Sequence, residues 1–156
     1  MGPLFTGTYN HGIDEKGRII VPAKLRAAVQ EERDGSGFWM SRGLDGCISM
    51  YTPRGWEQLR QRVPGTEFSG KRRNFERMLY AGAQYGMCDR QGRIIIPELL
   101  KEAAGIQKDV VIVGVGERIE IWGKERWDDL SAQTMESFEQ DAEALFSLQM
   151  ESEKKP

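Results

Sequence analysis

Two aspartates in this chain each stand four residues ahead of an arginine. Asp14-Glu-Lys-Gly-Arg-Ile-Ile-Val-Pro22 returns as Asp89-Arg-Gln-Gly-Arg-Ile-Ile-Ile-Pro97, seventy-five positions later, with six of the nine residues identical. A carboxylate so placed holds a guanidinium at the end of a turn, and a held guanidinium is a fork of N–H donors suited to phosphate or to guanine O6 and N7. Gly17 and Gly92 supply the positive φ that such turns require, and Asp14 and Asp89 hold the arginines without touching a ligand themselves. The chemistry on offer is recognition, with Arg18 and Arg93 as the reading residues. The plain alternative is a hairpin salt bridge. Two features favour binding: the turn residues persist through a duplication that let most surface positions diverge, and the first copy gathers Lys16, Lys24 and Arg26 around Arg18. Residues 14–26 carry four basic and two acidic side chains, against three and two in residues 89–101, which makes the first copy the better anion-facing surface.

Each motif reads as a turn, a short β-branched strand, and a helix opening at proline. The repeat extends further, since Ile48-Ser-Met-Tyr-Thr-Pro-Arg-Gly-Trp-Glu-Gln-Leu59 answers Ile119-Glu-Ile-Trp-Gly-Lys-Glu-Arg-Trp-Asp-Asp-Leu130 at an offset of seventy-one. A half of this size buries too little core to stand alone, so the halves are expected to pair about a pseudo-twofold axis in one compact domain. Two copies are too few for a solenoid. The expected division is a first repeat over residues 5–59, a helical insert over 60–82, a second repeat over 83–130, and a helical extension and tail over 131–156. The fold class is mainly β with helices.

Along the chain, residues 5–11 form a strand expected to pair with Arg18–Val21, with Gly7 marking a bulge or a close backbone approach. Strands at Phe38–Arg42 and Cys47–Tyr51 flank the turn Gly43-Leu-Asp-Gly46, and Glu31–Gly37 reads as a polar loop. Thr52-Pro53 opens a helix carrying Trp56, Leu59 and Val63, which Pro64-Gly65 ends. The insert Ser69–Gly82 is a basic helix with Phe75, Met78 and Leu79 on one stripe; it either touches DNA through Lys71, Arg72, Arg73 and Arg77 or packs on the body with a solvated charged face. Second-half strands fall near 83–88, 92–96, 110–114 and 118–122. From Trp127 a long amphipathic helix follows, able to pack on its own body or on a neighbouring protomer, and Glu151–Pro156 reads as disordered.

The formal net charge of −2 divides unevenly: residues 128–156 hold eight acids and two lysines, while residues 1–127 hold 20 basic and 16 acidic side chains. A positive body suits phosphates, whereas the overall acidity argues against indiscriminate nucleic-acid binding. Cys47 and Cys88 lack C-x-x-C spacing and read as reduced thiols in strands of a cytosolic protein. No stretch approaches the ~20 apolar residues of a membrane span. A catalytic reading finds little: His11 is the only histidine, no nucleophile motif or phosphate-binding glycine loop is present, and Gly114-Val-Gly116 lacks the rest of a dinucleotide fingerprint. Glu31-Glu32 and Asp128-Asp129 read as solvated pairs. The chain is expected to be no enzyme and to need no cofactor or metal.

With "DEKGRIIVPAKLR", "RGLDGC", "DRQGRIIIP" and "RIEIW" in place, the chain from about Phe5 to Phe146 closely resembles the MraZ family of bacterial transcriptional regulators. The resemblance implies a swapped-hairpin β-barrel of the AbrB type, flanked by helices and followed here by an acidic C-terminal helix. It further implies assembly into homo-oligomeric rings and binding of double-stranded DNA at G-rich direct repeats in the promoter of the family's own division and cell-wall operon. Arg18 matches the family's critical DNA contact and Arg93 its counterpart. Cytoplasmic, nucleoid-associated residence follows from that role. The competing reading is an antitoxin-like or scaffolding interaction module, since AbrB-type folds also dock toxins through flexible tails.

Overall fold

Alternating β-branched residues and well-placed turn glycines build the sheets of this molecule from short strands, while helices hold more of the described residues than strands do, which corrects the expected mainly-β class. The computed structural model describes residues 1–154. The strands are β1 (Thr8–Gly12), β2 (Arg18–Ile20), β3 (Phe38–Arg42), β4 (Ile48–Tyr51), β5 (Gln84–Gly86), β6 (Arg93–Ile95), β7 (Asp109–Val115) and β8 (Arg118–Gly123); the helices are α1 (Ala23–Ala28), α2 (Glu31–Asp34), α3 (Pro53–Arg62), α4 (Gly70–Ala81), α5 (Glu98–Ala103) and α6 (Lys124–Glu153). Six strands form one sheet in the order β1-β7-β8-β4-β3-β5, and β2 pairs with β6 in a separate two-stranded ribbon. The fold is α+β. The six-stranded sheet stays open, with β1 and β5 on its edges, which corrects the expected closed barrel. The reason lies in the turns: Ile13 N–H donates to Lys108 O, ending β1, and the Asp14 turn then carries the chain out of the sheet into the ribbon.

For the same reason β1 does not pair with β2. It runs antiparallel to β7, from Thr8 opposite Val113 to Gly12 opposite Asp109. Gly7 has φ +98°, and its carbonyl accepts from Gly114 N–H. The close approach falls at Gly114, where a Cβ would stand 2.3 Å from Thr6 N.

Exchanging the two halves leaves the strand order unchanged, because β1, β2, β3 and β4 swap places with β5, β6, β7 and β8. The registers follow the exchange. In the ribbon Ile19 faces Ile94, flanked by Arg18–Ile95 and Ile20–Arg93. In the sheet Ser49 faces Glu120, flanked by Ile48–Ile121 and Met50–Ile119. Met40–Gln84 answers Ile112–Tyr9, and Arg42–Ile48 answers Gly114–Ile119, so three of the four residues missing from the second half are lost before β7 and one in the turn before β8. That turn in the first half is a 3-10 turn at Leu44–Gly46, with Asp45 at φ 66°.

The core lies between sheet and ribbon. Ile19, Val21, Leu25, Ile94, Ile96 and Leu100 from the ribbon and its helices meet Phe38, Met40, Ile48, Met50, Val110, Ile112, Ile119 and Ile121 of the sheet. Trp39 of β3 stacks on Trp56 of α3, with ring centroids 5.4 Å apart. Ser41 Oγ donates to Leu79 O of α4 at 2.6 Å, which anchors the insert helix by its one buried apolar residue. Phe75 and Met78 of the expected stripe are exposed.

Helix starts follow their caps. Thr52 Oγ1 accepts from Gly55 N–H with Pro53 at the first helical position, while Pro22 and Pro97 sit one position earlier than expected, as the N-cap residues of α1 and α5. The polar stretch after Gln30 is not all loop. Glu31–Asp34 forms a helical turn because the buried Asp34 carboxylate accepts from Gln30 N–H and from Arg33 Nε and an Arg33 terminal nitrogen. Its pKa is lowered, chiefly by Arg33.

The chain divides into two compact units, Met1–Lys124 and Glu125–Pro156. Of the second unit's described residues, all but Lys154 belong to α6. Its Met135, Phe138, Leu145 and Phe146 are exposed, and helix continues through Glu153, which corrects the expected disorder from Glu151 as far as that residue. Lys155 and Pro156 lie outside the described residues. No helix among the described residues is long and apolar enough to cross a membrane.

Candidate nucleic-acid interface

Each motif aspartate closes its turn with both carboxylate oxygens. Asp14 Oδ1 accepts from the backbone N–H groups of Lys16 (3.0 Å) and Arg18 (2.8 Å), and Oδ2 accepts from Arg18 Nε at 2.7 Å. Asp89 repeats the pattern with Gln91 N–H (2.9 Å), Arg93 N–H (2.9 Å) and Arg93 Nε (2.7 Å). Gly17 and Gly92, at φ 76° and 81°, donate to Asp14 O and Asp89 O. The turns join across the ribbon, where Val21 N–H donates to Gly92 O and Ile96 N–H to Gly17 O. This direct pairing of the motifs was not anticipated, although two copies of one short strand related by a twofold axis can meet only antiparallel.

The brace determines what each arginine can do. With Nε held by the aspartate, the two terminal nitrogens of Arg18 and of Arg93 have no partner among the described residues. These form the end-on fork that suits guanine O6 and N7 or a phosphate. Because residues alternate across a strand, Ile19 and Ile94 point into the core while both arginines leave the opposite face of the ribbon.

The carboxyls of Asp14 and Asp89 are held below the usual carboxylate range. The largest cause is the backbone N–H of Arg18 or Arg93, reinforced by the guanidinium and by the N–H two residues ahead, with desolvation opposing. A depressed folded-state pKa contributes stability that is fully present above the unfolded value of about 3.9 and lost as pH falls through the folded value. An Asp14→Asn, Asp89→Asn double variant, whose amide nitrogens cannot accept from Nε, is therefore expected to be less stable than the parent at neutral pH. The difference should close on acidification below about pH 4. Urea midpoints across that range test it, and a pH-independent gap refutes the assigned role.

Around the first turn, Lys16 and Lys24 are exposed, Lys16 at the turn itself and Lys24 in the first turn of α1. Their counterparts at the same offset are Gln91 and Leu99. Arg26 is placed differently from these lysines. Its Nε donates to Val21 O at 2.9 Å, and its guanidinium lies so close to the second turn that a Cβ on Gly92 would stand 2.8 Å from it. Arg26 thus bonds to its own motif and packs against the opposite one, a contact that no local sequence signal announces.

Elsewhere the free thiols of Cys47 and Cys88 flank strands instead of lying in them, and burial pushes Cys47 up to about 12 and raises Cys88. No cluster of three or more His, Cys, Asp or Glu able to hold a metal is present among the described residues.

Fold and site define a two-half α+β protein that presents a pair of carboxylate-braced arginines on one solvent-facing ribbon. A family model described as "MraZ protein, putative antitoxin-like" matches residues 4–77 and 79–149. Proteins named "Transcriptional regulator MraZ" are similar along nearly their whole length: that of Lactobacillus delbrueckii subsp. bulgaricus is 42% identical over 148 residues, 94% of this chain and 100% of its own. The one from Heliobacterium modesticaldum is 38% identical with the same coverage, and that of Moorella thermoacetica 39% over 143 residues, 91% of this chain and 96% of its own. The chain belongs to the MraZ family.

Proposed function

We propose that this chain is a sequence-specific transcriptional regulator that binds double-stranded DNA, with no catalytic activity and no cofactor. The observation that carries the reading is the braced pair of arginines: a two-stranded ribbon fits the major groove, and Arg18 and Arg93 offer it two guanidinium forks from one face. Lys16 and Lys24 would add phosphate contacts beside Arg18, and Arg26 would keep the second turn in shape. The palindromic strand order supports the swapped-hairpin kinship. The operator is proposed to be guanine-rich direct repeats upstream of the chain's own division and cell-wall genes, read in the cytoplasm at the nucleoid by a ring of several copies. Relatives that carry the name of transcriptional regulator support the class of function. A helical α6 favours this reading over a toxin-capturing module, which would use a flexible tail.

Footprinting the purified protein on the DNA upstream of its own gene is the direct test. Protection of guanine-rich repeats is expected, and uniform or absent protection overturns the proposal.

The insert helix is expected to stay out of the interface. Arg72 Nε binds Glu76 at 2.6 Å and one of its terminal nitrogens binds Gly65 O, while Arg73 donates to Glu67 O at 2.8 Å. Both arginines are committed to holding the 65–67 loop. An Arg72→Gln, Arg73→Gln variant should melt lower yet keep the parent's salt dependence of binding. A log–log slope flattened by about 0.9 per contact would instead place phosphate there.

A further inference from the structure

Beside each arginine on the outer face of the ribbon stands an isoleucine that the reading above leaves unused. The register sets Ile95 opposite Arg18 and Ile20 opposite Arg93. The bonds from Val21 to Gly92 and from Ile96 to Gly17 mark the flanking pairs as hydrogen-bonded. By alternation, Arg18–Ile95 and Ile20–Arg93 are non-hydrogen-bonded pairs, the kind whose side chains stand closest. Ile20 is 44% and Ile95 63% exposed, whereas Ile19 between them is buried at 1% and Ile94 at 2%. Strand propensity accounts for β-branched residues at these positions, yet threonine would satisfy it without presenting apolar surface to water. The same exposed apolar choice occurs in both halves.

We infer that Ile20 and Ile95 are specificity residues that contact the methyl group of a thymine lying beside each guanine read by an arginine. Thymine alone among the four bases carries an apolar group in the major groove. Cross-strand partners hold their Cβ atoms about 4.5–5.5 Å apart, little more than the ~3.4 Å rise between stacked bases, so an arginine and its paired isoleucine reach neighbouring bases. The two Arg–Ile rows lie two residues apart along the strand, ~6.7 Å, or about two base-pair steps. Each ribbon thus reads two guanine–thymine neighbourhoods instead of two isolated guanines. This inference rests on the ribbon being the DNA-reading face.

The test uses the full-length protein and a duplex that it enriches from random-sequence DNA. Thymines in that duplex are replaced one at a time by deoxyuridine, which deletes the methyl and leaves base pairing intact. Wild-type protein should lose about fourfold in affinity at each thymine beside an arginine-read guanine, the worth of one buried methyl. The Ile20→Ala, Ile95→Ala double variant should bind thymine and deoxyuridine duplexes equally. Equal wild-type affinity for both duplexes overturns the inference, as does discrimination that survives in a folded double variant. An unchanged discrimination accompanied by an altered oligomer in light scattering would assign the isoleucines to contacts between copies. Should the double variant fail to fold, the wild-type deoxyuridine scan decides alone. Arg18→Ala runs in parallel: if it keeps guanine selectivity, the DNA-reading ribbon itself fails, whereas its loss of selectivity without any deoxyuridine effect refutes only the isoleucine contact.

Discussion

Arg18→Ala should bind operator and scrambled DNA alike while melting close to the parent. The fold is spared because Asp14 Oδ1 accepts from the backbone N–H groups of residues 16 and 18, bonds that no side chain at position 18 is needed to make. The neighbouring core residue Ile19 is also untouched. Binding suffers because the terminal guanidinium nitrogens, free of other partners among the described residues, are lost. Each bidentate guanine contact removed costs about 1–3 kcal/mol, and the loss is repeated in every copy engaged. Arg93→Ala should cost less, since Gln91 and Leu99 stand where the first half has Lys16 and Lys24. Titrations of both variants against the two DNAs, with melting curves as control, provide the check. An Arg18→Ala protein that keeps parental discrimination would remove the ribbon from the interface.

A second large effect is expected from moving the repeats apart. One ribbon offers four outward side chains, enough for a few base pairs and too few to single out a promoter. Specificity should therefore come from several linked copies on successive repeats, where the second and later contacts become effectively intramolecular and avidity grows only if geometry allows joint engagement. Copies on one side of an assembly must meet repeats on one side of the duplex, which sets the repeat period near one turn of ~10–10.5 base pairs. Inserting about 5 base pairs between repeats should cut affinity sharply, and inserting about 10 should partly restore it. Binding to the three spacings at fixed salt, with light scattering on the protein alone, tests this. Equal affinity for all three, or a monomer that binds as tightly as the assembly, would show that linked copies are not how the repeats are read.

Local signals located most of the elements. The Gly-Arg-Ile-Ile stretches announced β2 and β6, Thr52-Pro53 announced α3, and the composition around Ser69 announced α4, because turn residues, caps and β-branched runs act on their immediate neighbours. Pairing partners were less legible. Residues 5–11 and Arg18–Val21 look like the arms of one hairpin, yet β1 pairs along its length with β7 and β2 with β6, partners that lie in the other half of the chain. The turn geometry of Asp14 and Asp89 was readable from spacing. The packing of Arg26 against Gly92 was hidden, since it depends on how the halves meet. The helical turn at Glu31–Asp34 was hidden too, because a carboxylate buried against its own neighbour Arg33 looks in sequence like part of a solvated loop.

The exchange of partners between halves also governs how the chain can be made. β2 has no strand to join until β6 exists, roughly 75 residues further along, and β1 waits roughly 100 residues for β7, so the first half leaves the ribosome with two of its four strands unpaired. Ladders closed over such separations raise contact order and slow folding, and the waiting strands are open edges during that interval. Cutting the gene between the repeats would not yield two small domains. It would yield two fragments, each with strands whose partners lie in the other, and either fragment would have to find a second chain to complete its sheet.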